Sequence, residues 1–162
     1  MDKLEMLVAK DEIHTALNDY VLGMDLHQPD RFLGAWHDDG LWTMNSAMAE
    51  GELTGCGHGE IRAALEALWA DQRLVMHLAG NQSISFDDDT HAHGDGHAAI
   101  IGVTAKGEPF NGGAVYVDDR FELRDGRWGL TQRKIEVNYF AMFKLDGLEL
   151  EFNDGFGGAF AR

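Results

Sequence analysis

The sequence predicts an α+β fold in which N-terminal helices pack on one face of a cone-shaped, curved antiparallel sheet. Two observations carry that expectation. Along the first part of the chain, apolar side chains recur at three- and four-residue intervals, the period of a helix with one buried face. From Val75 onward the segments turn rich in β-branched and aromatic residues, separated by short turn-like breaks. Helices followed by a meander of long strands pack as a layer on the sheet. A sheet that curls around its helices encloses a cone with an apolar mouth, a natural place for a small ligand.

Each element has its own signal. Leu4, Leu7, Val8, Ile13, Leu17, Tyr20 and Val21 mark the apolar face of a first helix that should be ending near Asp25. "QPDRFLGAW" predicts a short second helix, with Pro29 in its first turn and Phe32, Leu33 and Trp36 on its apolar side. "GLWTMNSAM" predicts a strand. "GHGEIRAALEALWADQ" is the clearest helix, with Ile61, Leu65, Leu68 and Trp69 on one face. Four long strands follow, in "VMHLAGNQSISFD", "HAAIIGVTA", "GGAVYVDDRFELRD" and "RWGLTQRKIEVNYFAMF". The breaks between them are "DDDTHAHGDG", "KGEPFNGG" and "RDGR", the last holding the hairpin signal Asp125-Gly126. Residues 1–145 are expected to form one domain. Residues 146–162 are expected to be a Gly-rich tail, extended or docked on a neighbour.

Composition bounds the partners. The 162 residues carry 13 basic and 28 acidic side chains, a net charge of −15. That charge repels phosphate backbones, so nucleic acid and anionic membrane are poor partners. There is no apolar run near the roughly twenty residues that a membrane helix needs. "MDKLEMLVAKDEIH" lacks the pattern of a secretion signal, so a cytoplasmic location is the default expectation. Cys56 stands alone, which excludes an intramolecular disulfide and a zinc cluster built on cysteines.

Four groups of residues are candidates for chemistry. Asp25 follows the apolar Val21-Leu22-Gly23-Met24 and has no Lys or Arg at helical spacing, since Arg31 is beyond Pro29. His77 shares a strand face with Val75 and Ala79, and an inward histidine needs a hydrogen-bond partner. A carboxylate at a helix end meets that need, holds the imidazole in one tautomer and makes it a general base. The alternative is a core histidine satisfied elsewhere and an aspartate facing water. Tyr20 and Arg133 form the second group. Tyr20 lies about 140° round a helix from Asp25, so the two share a pocket only if the helix ends between them, which Gly23 permits. Arg133 is either a sheet-surface arginine or, pointing inward, a cation for developing negative charge.

The third group is "DDDTHAHGDGH", with His91, His93, Asp95 and His97. His-x-His on a strand would give two metal ligands on one face, but the acidic, glycine-containing stretch reads as a solvated turn, and no metal is expected. The fourth, "GCGHGE", has the glycines of an anion cradle without a following lysine and reads as a helix entry.

With these residues in place, the chain resembles the SnoaL-like branch of the nuclear-transport-factor-2-like superfamily, and within it the γ-hexachlorocyclohexane dehydrochlorinases. The likeness rests on "LGMDLHQPDRFLGAWHDDGLWTM", "MHLAGNQSISF" and "ELRDGRWGLTQRKIEVNYF". It implies that Asp25 and His77 form a base dyad and that Arg133 assists the leaving group. It also implies a pocket wall around Trp42, with Val21, Met24 and Phe140 beside it. Tyr20 departs from the dehydrochlorinases, which have a lysine there, and is similar instead to the bile-acid and scytalone dehydratases. The resemblance implies a cofactor-independent β-elimination on an apolar cyclic substrate. Water is favoured over halide as leaving group because the Tyr20 phenol is a useful proton donor to hydroxide, whereas chloride needs none. The resemblance implies a homotrimer too, with the tail near the interface or the pocket mouth. An isomerase or polyketide cyclase using the same dyad, and a ligand-binding scaffold without chemistry, are the alternatives.

Overall fold

The structure is a computed structural model, and it describes residues 1–46 and 52–143. The expected tail, residues 146–162, lies outside the described residues. The elements run α1 (Lys3–Asp25), α2 (Pro29–Gly34), β1 (Trp36–Ser46), β2 (Glu52–Cys56), α3 (Gly57–Ala70), β3 (Gln72–Phe86), β4 (His91–Thr104), β5 (Pro109–Arg124) and β6 (Arg127–Met142). One curved, unclosed sheet holds six strands in the order β2-β1-β6-β5-β4-β3. The pair β1–β6 is parallel, and the other four pairs are antiparallel. This is the α+β architecture the sequence predicts. Among the described residues no helix is long and apolar enough to cross a membrane.

Helix α1 starts at a capping box. The Asp2 carboxylate accepts the N–H groups of Leu4 and Glu5 at 2.8 and 2.9 Å, and Glu5 accepts the Asp2 N–H at 2.6 Å. Its buried stripe is Ala9, Ile13, Ala16, Leu17 and Tyr20. Leu4, Leu7 and Val8, expected on the same face, are exposed instead. They lie about 120–180° round the helix from Ile13, so they cannot share its packing surface.

The helix also continues through Gly23 to Asp25, rather than ending between Tyr20 and Asp25. Both side chains are nevertheless buried, because the last turn is enclosed on more than one side: Gly23, Met24 and Asp25 are buried in succession. Glycine is required at 23, since a Cβ there would lie 2.4 Å from the Phe32 backbone nitrogen of α2.

Three strands depart from expectation. β1 begins at Trp36, expected on the apolar side of the second helix, because α2 stops at Gly34. β2 was not foreseen in "ELTGC", where glycine and polar residues mask a short strand paired with β1. β4 begins at His91, six residues before the expected "HAAIIGVTA", so "HAHGDG" is strand and the turn is confined to residues 87–90. Gly94 is demanded by a close approach of backbones. A Cβ on Gly94 would lie 2.4 Å from the Ser83 carbonyl oxygen. The tight turn at Asp125-Gly126 has positive φ at both residues (53° and 76°), the conformation that the Asp-Gly pair favours between two strands.

Candidate active site

The concave face of the sheet and the end of α1 enclose a cavity of about 290 Å³. Its wall is largely apolar, with Met24, Trp42, Val75, Ile100, Phe110 and Phe140 among the lining residues. His77, Gln72, Tyr20 and Tyr116 supply polar groups to it. Thus Trp42, Met24 and Phe140 line the cavity. Val21 does not: it is about 100° round α1 from Tyr20 and packs, half-buried, against the core.

The structure brings Asp25 and His77 together. Asp25 Oδ1 is 2.6 Å from His77 Nδ1, and Asp25 Oδ2 accepts the backbone N–H of His77 at 2.8 Å. Both side chains are nearly buried (11% and 12% exposed), which removes competing water. An ionised carboxylate can only accept, so Nδ1 carries a proton, and in the neutral imidazole the lone pair is then on Nε2. Two bonds from one residue also fix the carboxylate's rotation. The site therefore holds an oriented imidazole whose neutral form has its basic nitrogen at Nε2, in an apolar cavity.

Arg133 points inward and is fully buried, but it does not line the cavity. Its Nε and Nη2 donate to the two carboxylate oxygens of Asp119 at 2.9 and 2.5 Å. The guanidinium carbon lies 4.3 Å from the Tyr20 ring centre and 4.1 Å from that of Tyr116, so the cation rests against two phenols whose planes are 82° apart. Burial works against the Arg133 charge, and the Asp119 carboxylate more than offsets it, so the group stays protonated. Burial likewise pushes both phenols above their ordinary range, an effect that nearby Arg133 partly opposes. Tyr20 and Tyr116 are therefore neutral hydroxyl donors. Among the described residues, the Trp42 indole N–H and Arg133 Nη1 are buried without an acceptor.

Sequence reasoning missed Asp119 and Tyr116. Regular alternation along β5 from Tyr116 would point Asp118 inward. One extra residue between Tyr116 and Arg120, relative to Ile135 and Gln132 on β6, bulges the strand and turns Asp119 inward instead. The alternation of Ala114 and Tyr116 was the available signal for Tyr116.

The histidine-rich segment is a strand, not the solvated turn expected of it. His91, Asp95 and His97 face solvent, His93 is half-buried, and Ala92, Gly94 and Gly96 are buried between them. That polar–small alternation in "HAHGDGHA" was the missed strand signal. The histidines bond separately: His91 to Asp88 at 3.0 Å, His93 to Asp87 at 2.8 Å and His97 to Asn81 at 2.9 Å. Among the described residues no three His, Cys, Asp or Glu side chains are grouped to hold a metal.

Residues 5–134 match the model of the SnoaL-like domain. The chain belongs to the SnoaL-like family. This SnoaL-like chain is 29% identical over 142 residues to hexachlorocyclohexane dehydrochlorinase 1 of Sphingobium indicum, covering 86% of this chain and 88% of that one. Its structure superposes on that of LinA with a TM-score of 0.81 and 26% identity, covering 94% of this chain and all of LinA. A putative scytalone dehydratase from Novosphingobium aromaticivorans shares the fold, with a TM-score of 0.75 at 19% identity over 88% of this chain and 92% of that one.

Proposed function

We propose that this SnoaL-like chain is a cofactor-independent lyase that eliminates water from an apolar cyclic alcohol. The observation that carries the proposal is the 2.6 Å Asp25–His77 bond at the wall of an apolar cavity. The dehydrochlorinase relative supports elimination as the reaction class. In the proposed step, His77 Nε2 removes a proton from a ring carbon, and Asp25 stabilises the imidazolium that forms. The electrons of that C–H bond become the ring double bond, and the C–O bond of the neighbouring carbon breaks.

Tyr20 gives its proton to the departing hydroxide, a stronger base than a phenolate, so the transfer runs downhill even from a buried phenol. Arg133 beside the ring offsets the charge left on Tyr20, and the imidazolium proton returns to the phenolate at the end of the cycle. Arg133 thus acts through the phenol, since Asp119 occupies two of its donors and it does not line the cavity. The cavity volume equals that of about ten liquid waters, room for a one- or two-ring substrate.

Mass spectrometry on purified wild type and His77→Ala, incubated with cyclic alcohols, cyclic ketols and chlorinated cyclohexanes, tests the proposal. Loss of water by wild type alone is the expected result. Loss of hydrogen chloride alone would exchange the leaving group, rearrangement without mass change would indicate an isomerase or cyclase, and full activity in His77→Ala would end the dyad's role.

A further inference from the structure

Asp25 stands where a helix least favours a carboxylate. It is the last residue of α1, at the negative end of the helix dipole, and no basic residue occupies that turn. The terminal carbonyls of a helix also lack intrahelical partners and need others. The Met24 carbonyl, one residue before Asp25, accepts the indole N–H of Trp69 at 3.0 Å. Trp69 comes from α3, 45 residues along the chain. Two residues after Asp25, His27 turns back in the left-handed region (φ 53°) and stacks its ring on Trp69, with centres 4.7 Å apart and planes 17° from parallel. Burial lowers the His27 pKa, which keeps that ring neutral and stacked.

We propose that Trp69 is a positioning residue for the Asp25–His77 pair: one indole grips the chain on both sides of Asp25 and holds its carboxylate against His77 Nδ1. Nothing in the elimination chemistry requires a tryptophan on α3, and Trp69 does not line the cavity. Its neighbour Leu68 and the nearby Gln72 do, so the same contact sets the wall and the base in register. The hydrogen bond Trp69→Met24 makes the contact directional, which ring stacking alone would not.

The inference rests on His77 and Asp25 being the base, but its test does not need a substrate. Imidazole nitrogen NMR, assigned with a His77→Gln spectrum, reads the tautomer of His77 directly. Wild type is expected to show one tautomer, with the proton on Nδ1 and a strongly downfield Nδ1–H. Trp69→Phe keeps an aromatic face for His27 but lacks the N–H. It is expected to broaden or lose the downfield proton and mix the two tautomers, with far-ultraviolet circular dichroism unchanged. His27→Gly, which suits a left-handed backbone and so preserves the fold, removes the stacking alone and is expected to shift the same signals by less.

Wild-type His77 spectra in both variants would overturn the proposal. So would a Trp69→Phe protein that fails to fold, combined with an unaltered His77 signal in His27→Gly. Once a turned-over compound is in hand, kcat in Trp69→Phe is expected to fall about ten- to a hundredfold with KM little changed. A wild type inert toward every compound, with the tautomer still dependent on Trp69, would count against the lyase and leave the clamp standing.

Discussion

Replacing Asp119 by Ala leaves the Arg133 charge without its partner in the middle of the core. Arg133 has no exposed surface and Asp119 is 3% exposed, so solvent cannot substitute for the lost carboxylate. Both hydrogen bonds of the fork disappear at once. Removing one member of a buried pair costs about 3–5 kcal/mol, because the remaining ion keeps its desolvation penalty. For a domain of this size, about 2–4 °C of melting temperature is lost per kcal/mol, so the drop should be about 6–20 °C.

A double variant, Asp119→Leu with Arg133→Met, removes the penalty along with the pair and is expected to recover most of that loss. Recovery should be incomplete, because the cation–π contacts to Tyr20 and Tyr116 go too, at about 0.5–2 kcal/mol each. Thermal unfolding followed by circular dichroism reads all of these proteins on one scale. An Asp119→Ala protein melting within about 2 °C of wild type would refute the reasoning, as would a double variant no more stable than the single.

The other expectations concern individual groups. His27 has a folded-state pKa below its ordinary value, so the unfolded chain binds more protons between the two values, and stability is lost as pH falls through the folded pKa. His27→Asn should flatten the acid limb of a stability-against-pH curve, and an unchanged limb would remove His27 from that role. Tyr20→Phe should slow loss of water by about 10²–10⁴ while the His77 Nδ1–H signal stays as in wild type. Loss of that signal would mean that Tyr20 holds the base and does not serve the leaving group.

How much of this was legible in the sequence differs by element. The helix over Gly57–Ala70 and the hairpin at Asp125-Gly126 are local: apolar period and turn chemistry specify them without help from the rest of the chain. The early part of β4 was illegible as strand because Gly94 and Gly96 lower strand propensity, while the reason for them lies in β3, the Ser83 carbonyl against Gly94 and the Gln82 side chain against Gly96. Asp25 and His77 each carried a local anomaly, an unpaired carboxylate and an inward histidine. Their 2.6 Å contact depends on how α1 ends against β3, 52 residues apart. Asp119 carried no such anomaly. Its direction is set by a bulge in β5 that arises from the register of its pairing with β6 and β4, and so is Arg133's confinement away from the cavity. Trp69 looked like one more apolar residue on a helix face, since the Met24 carbonyl that accepts its N–H belongs to another helix.

The central claim is that His77, held by Asp25, abstracts a proton from carbon. The direct measurement is loss of deuterium from carbon, using a transformed compound deuterated at the ring carbon next to the leaving group, compared between wild type and Asp25→Asn. The side-chain amide of asparagine would present an N–H to Nδ1 and drive the proton to Nε2, the atom that must be bare. Product lacking that deuterium with wild type, and a rate of its loss lower by about 10³–10⁴ with Asp25→Asn, is the expected result. Equal rates of loss with the two proteins would contradict it.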